Sequence, residues 1–507
     1  MSRVGQQTLL ERMRKVVTER ASRLAVREHG RAFTYAELGT MIEGVHRGLG
    51  RAGLAAGEPV GLLLGRSALA YAAMWASIGH GSAYVPLNTS FPRTRLRNII
   101  NQAGIRTVVC DEHTRDLAEA LGVDTARLVS VAPVDCSADA AAVEQRWWQA
   151  RAGGNVAYVM FTSGSTGEPK GVPISYDNLV AFVDNMNALI EYRPDDVCSQ
   201  VCELSFDFSV HEIYLALLNG CTLCPARNVD LFNPAHYVAS RSITVWIAVP
   251  SLVRVILNNG IPIGDSLERI RVSIFNGEAL TSSLAAAWRD AALNTQIWNS
   301  YGPTECTVAV TAQRWSGDPE IEEADVIAVG TPFPDCRAAL LDGARIVPTS
   351  AAADGSIGEL LLATPQRFSG YTDTSLASPF VSDSRGAIYY RTGDRVRWRG
   401  GRLYHLGRVD DQVKIGGHRI ELLEIEHRLR RCLDIESLAV IAHPARHPTE
   451  LVLLIAAKSG PPALQAESLG LPAYMLPTRT IVLDALPTNP HGKLDRVALQ
   501  SIAETQK

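Results

Sequence analysis

The sequence predicts an α/β protein, with a large N-terminal domain of parallel-rich sheets and helices and a small α+β unit at the C-terminal end. Strand-like apolar runs alternate with helix-like ones up to about residue 400, the pattern of parallel sheets joined by crossover helices. A chain of 507 residues is too long for one ordinary hydrophobic core, so at least two domains are expected. Near Asp410 the pattern changes to a short hairpin, one helix over residues 422–432 and strands near residues 437–442 and 450–457. The expected boundary therefore divides residues 1–409 from 410–507. Hydrophobic content of 46% with 20% charge describes a globular protein, and a net charge of −4 argues against a nucleic-acid-binding surface.

In chain order, residues 1–20 are charged and read as an amphipathic helix, not as a basic, apolar leader. Residues 60–64 and 106–110 read as buried strands. The longest apolar stretch, residues 68–78, is too short to span a bilayer and reads as a packed helix, so a cytoplasmic protein without membrane partners is expected. Residues 138–155, Ala-rich and polar with a Gly pair, form a connector, and residues 348–358 a surface turn. Nine cysteines are scattered without a disulfide framework. Cys221 and Cys224 have half-site spacing, but no second pair completes a metal site, and they read as buried structural thiols.

The connector leads into an apolar strand, residues 156–161, and then into Thr162-Ser163-Gly164-Ser165-Thr166-Gly167-Glu168-Pro169-Lys170. Glycines let backbone N–H groups wrap an anion, hydroxyls add donors, and Lys170 adds a cation, which suits nucleotide phosphates. The spacing differs from a Walker A loop. Further along stand Asn299-Ser300-Tyr301-Gly302-Pro303-Thr304-Glu305, a tight turn in which Thr304 also reads as a helix cap. Tyr390-Arg391-Thr392-Gly393-Asp394 puts a carboxylate after a Gly turn, and Gly407-Arg408-Val409-Asp410 follows. Asp411-Gln412-Val413-Lys414-Ile415-Gly416-Gly417-His418-Arg419-Ile420-Glu421 reads as the hairpin, and Asn489-Pro490-His491-Gly492-Lys493 is a turn carrying a lysine.

These motifs, in this order over residues 33–496, resemble the adenylate-forming superfamily, which includes acyl-CoA synthetases, luciferases and nonribosomal peptide adenylation domains. The resemblance implies joining a carboxylate to AMP, release of pyrophosphate and transfer of the acyl group to a thiol, with ATP and Mg²⁺ required. It implies that Lys493 reaches the carboxylate and α-phosphate from a mobile C-terminal lid hinged at Asp410. It further implies that Thr304 donates to phosphate, that Tyr301 packs on adenine beside Asn299, and that Glu305 holds the metal. Asp394 and Arg408 would bind ribose and phosphate, and Gly416 and Gly417 would let a pantetheine arm pass. The family usually carries Arg or Lys near Gly416, so this chain departs from the pattern there.

The segment Phe206-Asp207-Phe208-Ser209-Val210-His211 resembles the amino-acid activators of that family, in which such an aspartate pairs with the substrate ammonium. A carboxylate beside an apolar pocket is costly without a cation, although Asp also favours helix caps. By the same resemblance the pocket comprises Phe208, His211, Ile247, Ile274, Asn276, Gly277, Ser300, Val308, Ala309 and Phe333, with Phe232 nearby. Asp230 falls where stand-alone enzymes that load β-amino acid starters for macrolactam polyketides carry an aspartate for the β-amino group. It also reads as a solvated loop residue. The expectation is thus an amino-acid-adenylating ligase, with a β-amino acid favoured. It would stand alone and load the phosphopantetheine of a separate carrier protein. The alternatives are an α-amino acid or D-alanine carrier ligase, an acyl- or aryl-CoA ligase, and a non-catalytic binding module.

Overall fold

The computed structural model describes residues 3–130, 145–164, 168–258, 267–318, 322–323, 325–433, 437–445, 447–456, 462–487 and 494–506. The chain forms two compact units. The larger comprises Met1–Thr89, Ile100–Met160 and Gly171–Gly407, and the smaller comprises Ser90–Ile99, Phe161–Lys170 and Arg408–Lys507.

Among the described residues the larger unit contains three large sheets and the two-stranded pairing of Glu322–Glu323 with Val326–Ile327. One has nine strands, in the order Thr331–Pro332, Thr311–Arg314, Gln296–Tyr301, Val272–Phe275, Val245–Ala248, Val197–Gln200, Thr222–Pro225, Leu24–Arg27 and Ala32–Thr34. From Gln296–Tyr301 to Leu24–Arg27 neighbouring strands pair in parallel, as the helix–strand alternation predicts. The second sheet has six strands, and Val60–Leu63 at its centre pairs in parallel with Tyr84–Pro86 and Thr107–Cys110. Side chains of both sheets meet the helices Tyr35–Arg51, Ala68–Gly79 and Tyr176–Leu189 in one contiguous apolar core. Ala68–Gly79 is buried along its whole length, which explains why its sequence shows no polar face. The third sheet is antiparallel and holds Ile388–Arg399 between Ile357–Ala363 and Phe380–Ser382.

The opening helix, Arg3–Glu19, is amphipathic: Leu9, Leu10, Met13 and Val17 are buried while Glu11 and Arg14 are exposed. The described part of the connector, from residue 145, is anchored where the buried Glu43 carboxylate accepts the N–H groups of Arg146 (2.7 Å) and Trp147 (3.0 Å). Cys221 and Cys224 are buried, and among the described residues no group of three or more His, Cys, Asp or Glu is placed to hold a metal. No helix among the described residues is long and apolar enough to cross a membrane.

In the smaller unit the strands Leu438–His443, Glu450–Ala456 and Arg479–Leu483 form a sheet whose apolar side packs on the helix Leu422–Leu433. The helix Arg496–Thr505 covers other apolar side chains of that sheet. The hairpin Gln412–Ile415/His418–Glu421 has Ile415 paired with His418, so Gly416-Gly417 is its entire loop. Both glycines have positive φ, +58° and +78°. A two-residue hairpin turn that follows the strand twist takes positive φ at both positions, which glycine adopts without strain.

Candidate active site

In the larger unit, parallel strands deliver the candidate residues at their C-terminal ends, where ligands of open α/β sheets bind. Ile247 pairs with Ile274, and Phe275 with Asn299, so the three strands present their ends side by side. Tyr301 closes the strand Gln296–Tyr301. The next turn needs glycine, because a Cβ on Gly302 would lie 2.7 Å from the Ala309 Cα and 2.8 Å from the Val308 carbonyl oxygen. The Tyr301 hydroxyl donates to the buried Asp394 carboxylate. His405 Nε2 donates to the same carboxylate at 3.1 Å, and the His405 and Tyr301 rings lie 6.3 Å apart. Asn299 is buried and donates to the carbonyls of Ile327 (3.3 Å) and Ala328 (3.0 Å).

Thr304 opens a 3₁₀ turn, Thr304–Cys306, whose cap position is occupied by Pro303. The expected Thr304 cap is therefore not formed. Glu305 is fully buried, and its carboxylate accepts the Tyr371 hydroxyl at 2.9 Å. One such carboxylate fits a magnesium ion whose remaining ligands are phosphate oxygens and water, since Mg²⁺ takes few protein ligands.

The candidate amino-acid pocket is built on the same sheet. Phe208 and His211 lie on a helix that begins as α over Phe208–Val210 and widens to a π turn over His211–Leu215. His211 is fully buried between the rings of Phe182 and Phe208, each at 5.7 Å, with Nε2 2.9 Å from the Tyr192 hydroxyl. Burial holds its imidazole down at about 3. Asp207 precedes this helix, is partly buried, and makes no capping hydrogen bond, so the helix-cap alternative is not realised. Burial and, secondarily, the Asp207 charge hold the Tyr158 hydroxyl well above its usual range.

Ile247, Ile274, Asn276, Ser300, Val308, Ala309 and Phe333 are all buried, and Gly277 follows Asn276 at φ +88°. Ser300 Oγ donates to the Phe275 carbonyl at 3.1 Å. Thr307 and Val308 have φ of +55° and +67°, a costly region for β-branched residues, roughly 1–3 kcal/mol each. Asn276 Nδ2 donates to the Val308 carbonyl at 3.1 Å, and Gln366 Nε2 donates to the carbonyls of Cys306, Thr307 and Ala309 at 3.2, 3.2 and 2.7 Å.

Asp230 already has a cationic partner. It lies in the 3₁₀ turn Asn228–Phe232, where Oδ1 accepts Arg227 Nη2 (2.8 Å) and Oδ2 accepts Arg227 Nε (3.2 Å) and N (2.9 Å). The Arg227 guanidinium, the leading cause, holds its carboxyl below the usual range. Phe232, beside it, is 80% exposed.

The smaller unit contains the glycine-rich loop. Ser163 Oγ donates to the Arg419 carbonyl at 2.8 Å, and Gly164 N–H donates to Glu424 Oε2 at 3.2 Å. Glu424, in the first turn of the helix Leu422–Leu433, forms a buried ion pair with Arg95 at 2.8 Å. Glu168 accepts from Asn98 (3.0 Å) and Arg428 (2.7 Å). Arg408 grips the expected hinge residue Asp410 through two bonds, 2.6 and 2.7 Å. Thr162 and Lys170 border the loop as strand residues. Ser165, Thr166, Gly167 and Lys493 lie outside the described residues.

Gln366, His405, Tyr371, Arg95 and Glu424 escaped the sequence reading. Each acts through a contact distant in sequence and belongs to no Gly-rich or Asp-containing signature. His405 alone left a trace, two residues before the Gly407-Arg408 motif.

The family model described as "AMP-binding enzyme" matches residues 13–372. Malpinin synthetase of Mortierella alpina is 33% identical over 92% of this chain, and chondramide synthase cmdD of Chondromyces crocatus is 33% identical over 93%. The chain spans only 6% and 12%, respectively, of the length of these relatives. The Vibrio cholerae adenylation domain AlmE, solved with glycyl-adenosine-5′-phosphate, matches with a TM-score of 0.84 at 27% identity, covering 98% of each chain. With the ordered motifs and the sheet-end placement of their residues, these matches show that the chain belongs to the AMP-binding enzyme family, within the adenylate-forming superfamily.

Proposed function

We propose that this enzyme activates an amino acid as its aminoacyl-adenylate and passes it to the phosphopantetheine thiol of a carrier protein. In the first step a substrate carboxylate oxygen bonds to the α-phosphorus of ATP and pyrophosphate leaves. In the second a thiolate attacks the activated carbonyl and AMP leaves. The Tyr301–Asp394–His405 cluster carries this reading: a buried carboxylate already held by two side chains is suited to accept both ribose hydroxyls. Ser163, Gly164, Lys170 and Arg408 would bind phosphates, with Ser165, Thr166 and Gly167 as expected partners, Thr304 as a further donor and Lys493 at the reacting carboxylate. A magnesium ion, held by Glu305 and phosphate oxygens, would neutralise charge on the phosphates.

An amino-acid substrate is supported by Asp207 beside the buried Phe208 and His211, and by the glycyl adenylate carried by the similar AlmE. We assign the ammonium to Asp207. The β-amino reading depends on Asp230, whose charge is already met by Arg227, so an α-amino acid is the better-supported substrate. The hairpin glycines Gly416 and Gly417 are the proposed passage for pantetheine, and residues 410–507 the proposed lid, turning at Asp410.

Substrate-dependent pyrophosphate exchange over a panel of matched α- and β-amino isomers, acyl acids and aryl acids tests these assignments. Asp207→Ala should cost about 10²–10³ in kcat/KM, as expected when a buried ion pair loses one partner. Asp230→Ala should leave exchange within a few-fold of wild type. A preference for β-isomers that Asp230→Ala abolishes would restore the β-amino reading, and exchange with acyl or aryl acids alone would make the enzyme a CoA-ligase type.

A further inference from the structure

The glycine-rich loop is held by carboxylates of its own unit. Gly164 N–H, a donor of the kind that wraps phosphate, is bonded to Glu424 Oε2 at 3.2 Å. The other Glu424 oxygen is held by Arg95 Nη1 at 2.8 Å, with 4% of the Arg95 side chain and 0% of the Glu424 side chain exposed. Past the loop, Glu168 accepts from Asn98 and Arg428. Independently, Arg408, a second candidate phosphate partner, has its guanidinium in a two-point grip on Asp410.

Two donors suited to an anionic ligand are thus occupied by internal anions, Glu424 and Asp410, and both come from the C-terminal segment. An ionised carboxylate accepting a backbone N–H is a stronger partner than a neutral acceptor. A second anion cannot share that N–H without displacing it or meeting its charge. The buried Arg95 aims Glu424 at the loop, and the first turn of a helix is a favourable place for a carboxylate.

We infer that Glu424 is a latch: by bonding Gly164 N–H it competes with the phosphates of ATP for the loop, and it must let go before nucleotide is gripped. Arg95 is its positioning residue. The latch gives the loop two exclusive partners, so ATP binds with an affinity reduced by the fraction of molecules in which the latch is closed. Once the phosphates have left the loop, Glu424 returns to Gly164. This latch presupposes the nucleotide-binding reading of Gly164 proposed above.

The test is titration of the full chain with Mg·ATP by calorimetry, alongside pyrophosphate exchange. Glu424→Gln should bind ATP about tenfold more tightly, the factor supplied by one charge-assisted hydrogen bond. The KM for ATP should fall while kcat for exchange is retained. Because Gln leaves Arg95 buried without its counter-ion, the paired change Arg95→Leu with Glu424→Leu removes both charges together. It should show the same tightening and melt close to wild type. A structural role alone would lower the melting temperature and both half-reactions without tightening ATP. Unchanged or weaker ATP binding in a paired variant that melts like wild type overturns the latch. Failure of the paired variant to fold, with Glu424→Gln folded and unchanged in affinity, overturns it equally. A wild-type protein that binds no ATP overturns the nucleotide reading itself and the latch with it.

Discussion

The pocket wall of the larger unit and the glycine-rich loop of the smaller one are both fastened by side-chain hydrogen bonds, but with opposite chemistry. The wall at Thr307 and Val308 is held by neutral amides, Gln366 and Asn276, which donate to backbone carbonyls. The loop is held by carboxylates, Glu424 and Glu168, whose partners are a backbone N–H, an amide and two guanidinium groups. An anionic substrate has no reason to compete with an amide for a carbonyl, whereas phosphate competes directly with a carboxylate for an N–H. Neutral fastening suits a wall that must keep its shape through the reaction; charged fastening suits a part that must be exchanged.

The largest loss is expected at Gln366. Gln366→Leu removes a donor shared by three carbonyls and an acceptor for Asn185, whose Nδ2 lies 2.8 Å from Oε1. With buried polar groups left unmet and two positive-φ residues released, we expect a loss of about 3 kcal/mol in denaturant-induced unfolding. A loss below about 1 kcal/mol would show that the wall holds itself.

A smaller effect is expected from acid. His211 in the larger unit is held at about 3 and His418 in the smaller one at about 4, in both cases by burial. The unfolded chain therefore binds protons that the folded chain does not, between about pH 6.5 and those values. Stability from each group is complete above about pH 6.5 and falls as pH drops, by at most about 1.4 kcal/mol per unit. Melting curves from about pH 7.5 to 5 should show this decline. His211→Gln, which keeps a partner for Tyr192, should make it shallower by the share of that one group. An unchanged slope would show that His211 gains a proton acceptor when acidified.

The smallest effect is expected where the loop fastening is exposed. Glu168→Gln breaks a pair with Arg428 whose side chains are 43% and 20% exposed, respectively. It should cost less than about 1 kcal/mol in thermal unfolding, since such pairs contribute little. A larger loss would mean that the charged fastening is as rigid as the neutral one.

Local signals made much of this legible in the sequence. Parallel strands, the hairpin and the buried helix over residues 68–79 follow from periodicity and turn residues, and Tyr301, Glu305 and Asp394 stand in short motifs. What was not legible depends on partners far away in the chain. Nothing near Gln366 announces three carbonyls, and nothing near Glu424 announces Gly164, 260 residues earlier. Asp207 and Asp230 look alike in sequence, both in short polar–apolar runs. Nothing in the run around Asp230 announces the Arg227 side chain that wraps back on it.

The wide turn His211–Leu215 divides one helix into two registers. Each residue of an α-helix advances about 100° around the axis, so one residue more or fewer in that turn would swing Ala216–Leu218 about a quarter-turn relative to Phe208. The helix therefore carries a built-in joint for divergence. A single-codon deletion there would turn the residues beyond it while leaving Asp207 and Phe208 in place.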